Sequence, residues 1–128
     1  MKIFFISIVL FIGFNLHAQT SSLLVDRLCQ SWKLLKMEEN GTVKTSDPTL
    51  NDYRIIFKND MSVMQGLQPD GFISGTWKLD EPNMSISITD KQTKVIYTVK
   101  IIKITTDELI LQDLQENNSV MMYYIKSL

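Results

Sequence analysis

The sequence predicts an all-β fold: eight short antiparallel strands in up-and-down (meander) order, closed into a β-barrel and preceded by one short helix. Three observations lead there. Apolar residues recur with a period of two in one segment after another, as in residues 84–90, Met-Ser-Ile-Ser-Ile-Thr-Asp, and that period marks antiparallel strands with one buried face. Turn residues separate these segments at hairpin spacing. An open sheet of eight strands would expose two unpaired edges, and closure into a barrel removes them; a sandwich is the alternative, against which the short connections favour up-and-down order.

The first eighteen residues stand apart from that pattern. Lys2 precedes an unbroken apolar run from Ile3 to Phe14, and Leu16-His17-Ala18 ends on a small residue, the three parts of a cleaved secretory signal. The run is too short for a membrane-spanning helix, which takes roughly 20 residues. The expectation is a signal peptide over 1–18, one domain over 19–128, and a periplasmic or secreted location with no transmembrane segment after cleavage. A lipid anchor is not expected, because Cys29 follows Asp26-Arg27-Leu28 rather than a run of small residues.

Ser21 or Ser22 is placed to cap a helix running to about Cys29, where Val25, Leu28, Cys29 and Trp32 fall on one face. Strands are then expected at about 31–39, 52–58, 61–67, 71–79, 83–89, 94–104, 108–114 and 119–126. In the second, Tyr53, Ile55 and Phe57 alternate with Arg54 and Lys58 and are assigned inward. The third contributes Val63 and Gln65, the fourth Ile73 and Trp77 with Gly75 between them. Ile86 and Ile88 come next, then Tyr97 and Val99, then Leu109 and Leu111.

Asn40-Gly41 is a hairpin dipeptide, since both residues tolerate positive φ. Asn59-Asp60, Pro69-Asp70-Gly71, Asp80 to Asn83, Asp90-Lys91-Gln92, Thr106-Asp107 and Glu116-Asn117-Asn118 supply the other turns. Thr42 to Asn51, which contains Asp47-Pro48, reads as an irregular loop. Residues 95–104 and Val120–Ile125 are apolar on both faces. A protein partner or homodimer contact is one account of that, and intramolecular cover combined with a bulge is the other, favoured because one helix is at hand.

Composition excludes several function classes. Loss of residues 1–18 removes His17, the sole histidine, and leaves twelve basic residues (the thirteen of the chain without Lys2) against fourteen acidic ones. A net charge near −2 without a basic cluster carries no footprint for nucleic acid. Without histidine the usual hydrolytic triads cannot be assembled, and adjacent carboxylates such as Glu38-Glu39 point to opposite faces of a strand. No enzyme activity, catalytic residue or cofactor is expected. Cys29 reads as a small buried hydrophobe rather than a reactive thiol. The six methionines after residue 18 are scattered over several strands, which fits filling of an irregular core better than a Cu(I) site, so no metal site is expected.

Several stretches together resemble the small exported lipocalin-like domains of bacteria: Gln30-Ser31-Trp32-Lys33-Leu34, Phe57-Lys58-Asn59-Asp60, Gly75-Thr76-Trp77-Lys78-Leu79-Asp80 and Thr105 to Leu111. The similarity spans about residues 22–126. It implies a barrel whose first-strand tryptophan, here Trp32, plugs the closed end beneath a cationic side chain from near the C-terminus, here Lys126. Gln30 stands where lipocalins carry glycine. Trp32-Lys33-Leu34 and Trp77-Lys78-Leu79 repeat a tripeptide, yet the residues after the two copies do not align, so the match reads as one local need met twice rather than a duplicated unit.

Eight-stranded barrels either fill with side chains or hold one small ligand, and the inward residues are apolar with a few polar groups, as ligand sites are. The leading expectation is binding of a small apolar or amphipathic molecule in the cell envelope, with Trp77 reporting the ligand in space left by Gly75. The alternative is an interaction module that uses the outer surface around Val120–Ile125.

Overall fold

The structure is a computed structural model that describes residues 23–44, 52–67, 71–115 and 118–127. The signal segment, the Ser21–Ser22 cap and the stretches holding Asp47-Pro48, Pro69-Asp70 and Glu116-Asn117 lie outside the described residues. The elements run α1 (Leu23–Leu28), β1 (Ser31–Glu39), β2 (Thr42–Lys44), β3 (Tyr53–Phe57), β4 (Ser62–Leu67), β5 (Ile73–Asp80), β6 (Ser85–Asp90), β7 (Ile96–Ile104), β8 (Glu108–Gln115) and β9 (Asn118–Lys126).

Eight strands, β1 and β3 through β9, form a closed antiparallel barrel in meander order. Closure comes from β1 against β9, in register from Trp32↔Lys126 to Glu39↔Val120. β2 is a ninth, three-residue strand in the stretch expected to be irregular, and its cause is local. Asn40 and Gly41 take φ of 52° and 83°, so a tight turn folds the chain back onto β1 at Met37–Glu39. That part of β1 has a free edge because β3 pairs with β1 only at Ser31–Lys33.

Bulges account for much of the broken alternation. A register shift between Ile101 and Lys103 lets both Ile101 and Ile104 pack on the core while Ile102 turns outward. A second, between Leu34 and Lys36, expels Leu35, which is 56% exposed. On the outer face of β9 the cover for Tyr123 comes from β1: Lys36 Nζ lies 4.5 Å from the ring centre, and the phenol donates to Glu38 Oε2 at 2.9 Å.

The core fills the end of the barrel beneath α1. Trp32 is wholly buried there with Leu28, and its indole N–H donates to the Leu28 carbonyl at 3.1 Å. Trp77 is buried at the same end, where its indole N–H donates to the Lys58 carbonyl at 3.1 Å and its ring meets Phe57 edge-on at 5.2 Å. Each tryptophan thus seals a strand-to-turn or helix-to-strand junction and satisfies its own donor on a main-chain oxygen, as buried indoles require. Lys126 is the cross-strand partner of Trp32 and is itself exposed.

Candidate functional site: a cavity at the open end of the barrel

Alternation along each strand carries the inward rows past the core toward the end opposite α1, and there they surround a cavity of about 760 Å³. β3 supplies Tyr53 and Ile55, β4 Gln65, and β5 Ile73. Ile88 and Asp90 come from β6, Tyr97 and Val99 from β7, Leu111 and Asp113 from β8, Met122 and Tyr124 from β9. Cross-strand register places Ile88 opposite Tyr97 and Val99 opposite Asp113, so the apolar floor and the acidic rim belong to the same ladders. Ile73, 50% exposed, lies at the mouth.

Of the residues assigned inward from the sequence, Tyr53, Ile55, Gln65, Ile73, Ile88, Tyr97, Val99 and Leu111 line this cavity. Phe57, Val63, Trp77, Ile86 and Leu109 are buried in the packed core instead. The expected role of Trp77 therefore changes: its ring is held against Phe57 at the closed end and does not line the cavity. Gly75 does not leave room beside it either. A Cβ there would stand 2.2 Å from the Thr89 carbonyl oxygen, so the glycine serves the close approach of β6 to β5. The structure adds Asp90, Thr98, Asp113, Leu114, Met122 and Tyr124 to the lining, none of which the sequence analysis assigns inward. Asp113 continues the period of two set by Leu109 and Leu111, and that spacing points to it.

Polar groups inside are few and specific. Gln65 Nε2 donates to the Tyr97 phenol. Burial, with a smaller contribution from Tyr97, pushes Tyr53 up to about 12. Burial also raises Tyr97, helped by the negative charges of Asp113 and Asp90 and opposed by the Gln65 bond. Tyr124 is raised further, again by burial first and then by Tyr53 and Tyr97. All three phenols are thus neutral at physiological pH. Asp90 accepts backbone N–H bonds from Thr93 at 3.0 Å and Gln92 at 2.8 Å, which hold its carboxyl below the ordinary range and fix the β6–β7 turn.

Reactive chemistry is not concentrated here. Cys29 is half-buried beside α1, and burial followed by the Asp26 charge raises its thiol, which disfavours the nucleophilic thiolate. Among the described residues no group of three or more acidic, histidine or cysteine side chains could hold a metal, and no helix is long and apolar enough to cross a membrane.

A family model described as a lipocalin-like domain matches residues 30–111. Among solved structures, a lipocalin-like protein from Bacteroides uniformis is 17% identical with a TM-score of 0.59, covering 79% of this chain and 99% of its own. An uncharacterized protein from Bacteroides eggerthii is 15% identical with a TM-score of 0.61, covering 78% and 99%. A DUF4847 family protein from Bacteroides vulgatus is 16% identical with a TM-score of 0.58, covering 78% and 94%. No curated protein matches the chain.

Proposed function

We propose that this chain, which belongs to the family of lipocalin-like domains, binds one small apolar or amphipathic molecule in the open end of its barrel and does so in the cell envelope. The carrying observation is the cavity itself: about 760 Å³, within the size range of small-molecule sites, with an apolar floor of Ile55, Ile88, Val99 and Leu111 and phenols above it. Trp32 and Phe57 are buried at the closed end, which leaves the mouth as the route for ligand among the described residues. Export rests on Lys2, the Ile3–Phe14 run and Ala18. The protein acts as a carrier or sensor of its ligand and not as a catalyst.

Native mass spectrometry of protein purified from its own host tests this. A single small-molecule adduct that is released on denaturation is expected. A dimer or a co-purified protein with no adduct would instead favour contact through the outer surface around Val120–Ile125. Intact mass from fractionated cells tests the location, with Gln19 as the expected N-terminal residue.

A further inference from the structure

We propose that the polar end of the ligand is a carbonyl-type oxygen on an otherwise apolar molecule, held by hydrogen bonds donated by the phenols of Tyr53 and Tyr97. This deepens the binding reading above and rests on it. Gln65 is the cross-strand partner of Ile55, so Tyr53, two residues along β3, stands on the same inward face and diagonal to the Gln65 side chain. Gln65 in turn reaches across the barrel to the Tyr97 phenol. All three line the cavity, and the two phenols are near enough for Tyr97 to act on Tyr53. An uncharged amide and two phenols are thus gathered above the apolar floor.

Their bonding is incomplete on the donor side. The Tyr53 hydroxyl makes no hydrogen bond among the described residues. Tyr97 accepts from Gln65 Nε2, and its own O–H proton goes to no described residue; Asp90 and Asp113 act on it through their charge alone. Turning the Gln65 amide over exchanges the Tyr97 O–H for an amide N–H as the spare donor. The third phenol of the cavity, Tyr124, is already spent on the Met122 thioether. Against these donors stands one spare amide acceptor, Gln65 Oε1, so the set is the richer in donors. A carbonyl oxygen carries two lone pairs and no proton, and takes one bond from each phenol. A hydrocarbon in its place would strip water from the same donors and return nothing, which is the larger loss.

Headspace partitioning of two volatile probes over the protein tests the proposal: methyl hexyl ketone, and the alkene in which a methylene group replaces its oxygen. Chain and shape are shared, so the pair isolates the oxygen. A cavity offering apolar surface alone would follow the partition of the probes into hydrocarbon and strongly favour the alkene. Here the ketone should bind at one site per chain and at least as tightly as the alkene. Tyr53→Phe removes a hydroxyl that bonds to no described residue, so the fold is spared. It should lower the ketone-to-alkene ratio about tenfold while alkene binding stays within about twofold. The infrared carbonyl stretch of isotopically labelled ketone should lie at lower wavenumber on wild type than on Tyr53→Phe. An alkene preference that matches the hydrocarbon partition, or a ratio and a carbonyl band unmoved by Tyr53→Phe, would overturn the carbonyl recognition and leave the binding site standing. Binding of neither probe would remove the binding site and the recognition together.

Discussion

Gln65 and Tyr97 are joined across the barrel by a hydrogen bond from the amide Nε2 to the phenol, although their strands, β4 and β7, share no edge. The bond spans the cavity that both residues line, and it places a polar bridge inside an otherwise apolar floor. Half-buried polar groups need partners, and losing one partner costs more than losing both. Tyr97→Phe should therefore destabilise by about 1–2 kcal/mol, because the Gln65 amide stays behind. The double variant Gln65→Leu/Tyr97→Phe should lie closer to wild type than the two single losses summed. Urea unfolding of the four proteins measures this, and strict additivity would show that the bridge does not form in solution.

Trp32 should dominate stability at the other end. It is completely buried against Leu28, so Trp32→Ala removes apolar burial and leaves a cavity, at a cost of about 3–5 kcal/mol. Trp32→Phe retains most of the ring and loses only the indole N–H bond to the Leu28 carbonyl, which keeps the Gln30 N–H, and should cost less. Lys126 is exposed, and Lys126→Met should cost about 1 kcal/mol or less. Denaturation midpoints compare the three; a Trp32→Ala loss under about 1 kcal/mol contradicts the closed-end packing.

Gly75→Ala should be costly despite its small size. The new methyl would meet the Thr89 carbonyl oxygen, which is main chain of the paired strand and cannot swing aside. A loss above about 2 kcal/mol is expected, together with loss of amide-exchange protection along the β5–β6 ladder. Wild-type protection there in the variant would contradict the close approach.

The cavity phenols set an alkaline limit. Tyr53 is raised from an ordinary value near 10 to about 12, and Tyr97 and Tyr124 are raised too. A raised phenol holds its proton in the native state after the unfolded chain has lost it. Its stabilising effect is thus complete below about pH 10 and is lost as pH climbs from there toward 12. One such proton changes stability by about 1.4 kcal/mol per pH unit across that window. Tyr53→Phe should make the decline between pH 10 and 12 shallower, as read from urea midpoints. An unchanged slope would place Tyr53 in solvent.

The barrel is legible in the sequence because period-two alternation and turn dipeptides are local signals, and Tyr53-Ile55-Phe57 or Ile86-Ile88 carry them without interruption. β2 is not legible, because three residues, Thr42–Lys44, carry no period, and their pairing depends on where β3 leaves β1. Depth along the barrel is equally hidden. Alternation tells inward from outward but not open end from closed end, so it groups Trp77 with Tyr97 although they sit at different levels. Tyr124 and Met122 are obscured for another reason: Val120–Ile125 is apolar on both faces, so no contrast shows which face turns in. Asp113 continues the period of Leu109 and Leu111, but acidic residues near a turn are ordinarily solvated, which masks that signal until the register against Val99 places it at the cavity.

Backbone and indole chemical shifts during titration with a neutral apolar probe such as decanol test the central claim most directly. Binding in the open end predicts saturable shifts at Gln65, Tyr97, Leu111, Asp113 and Tyr124, while the indole N–H signals of Trp32 and Trp77 stay in place because both are bonded to main-chain carbonyls at the closed end. Saturable movement of the indole signals with the cavity residues unmoved, or no saturable shift anywhere, would contradict it.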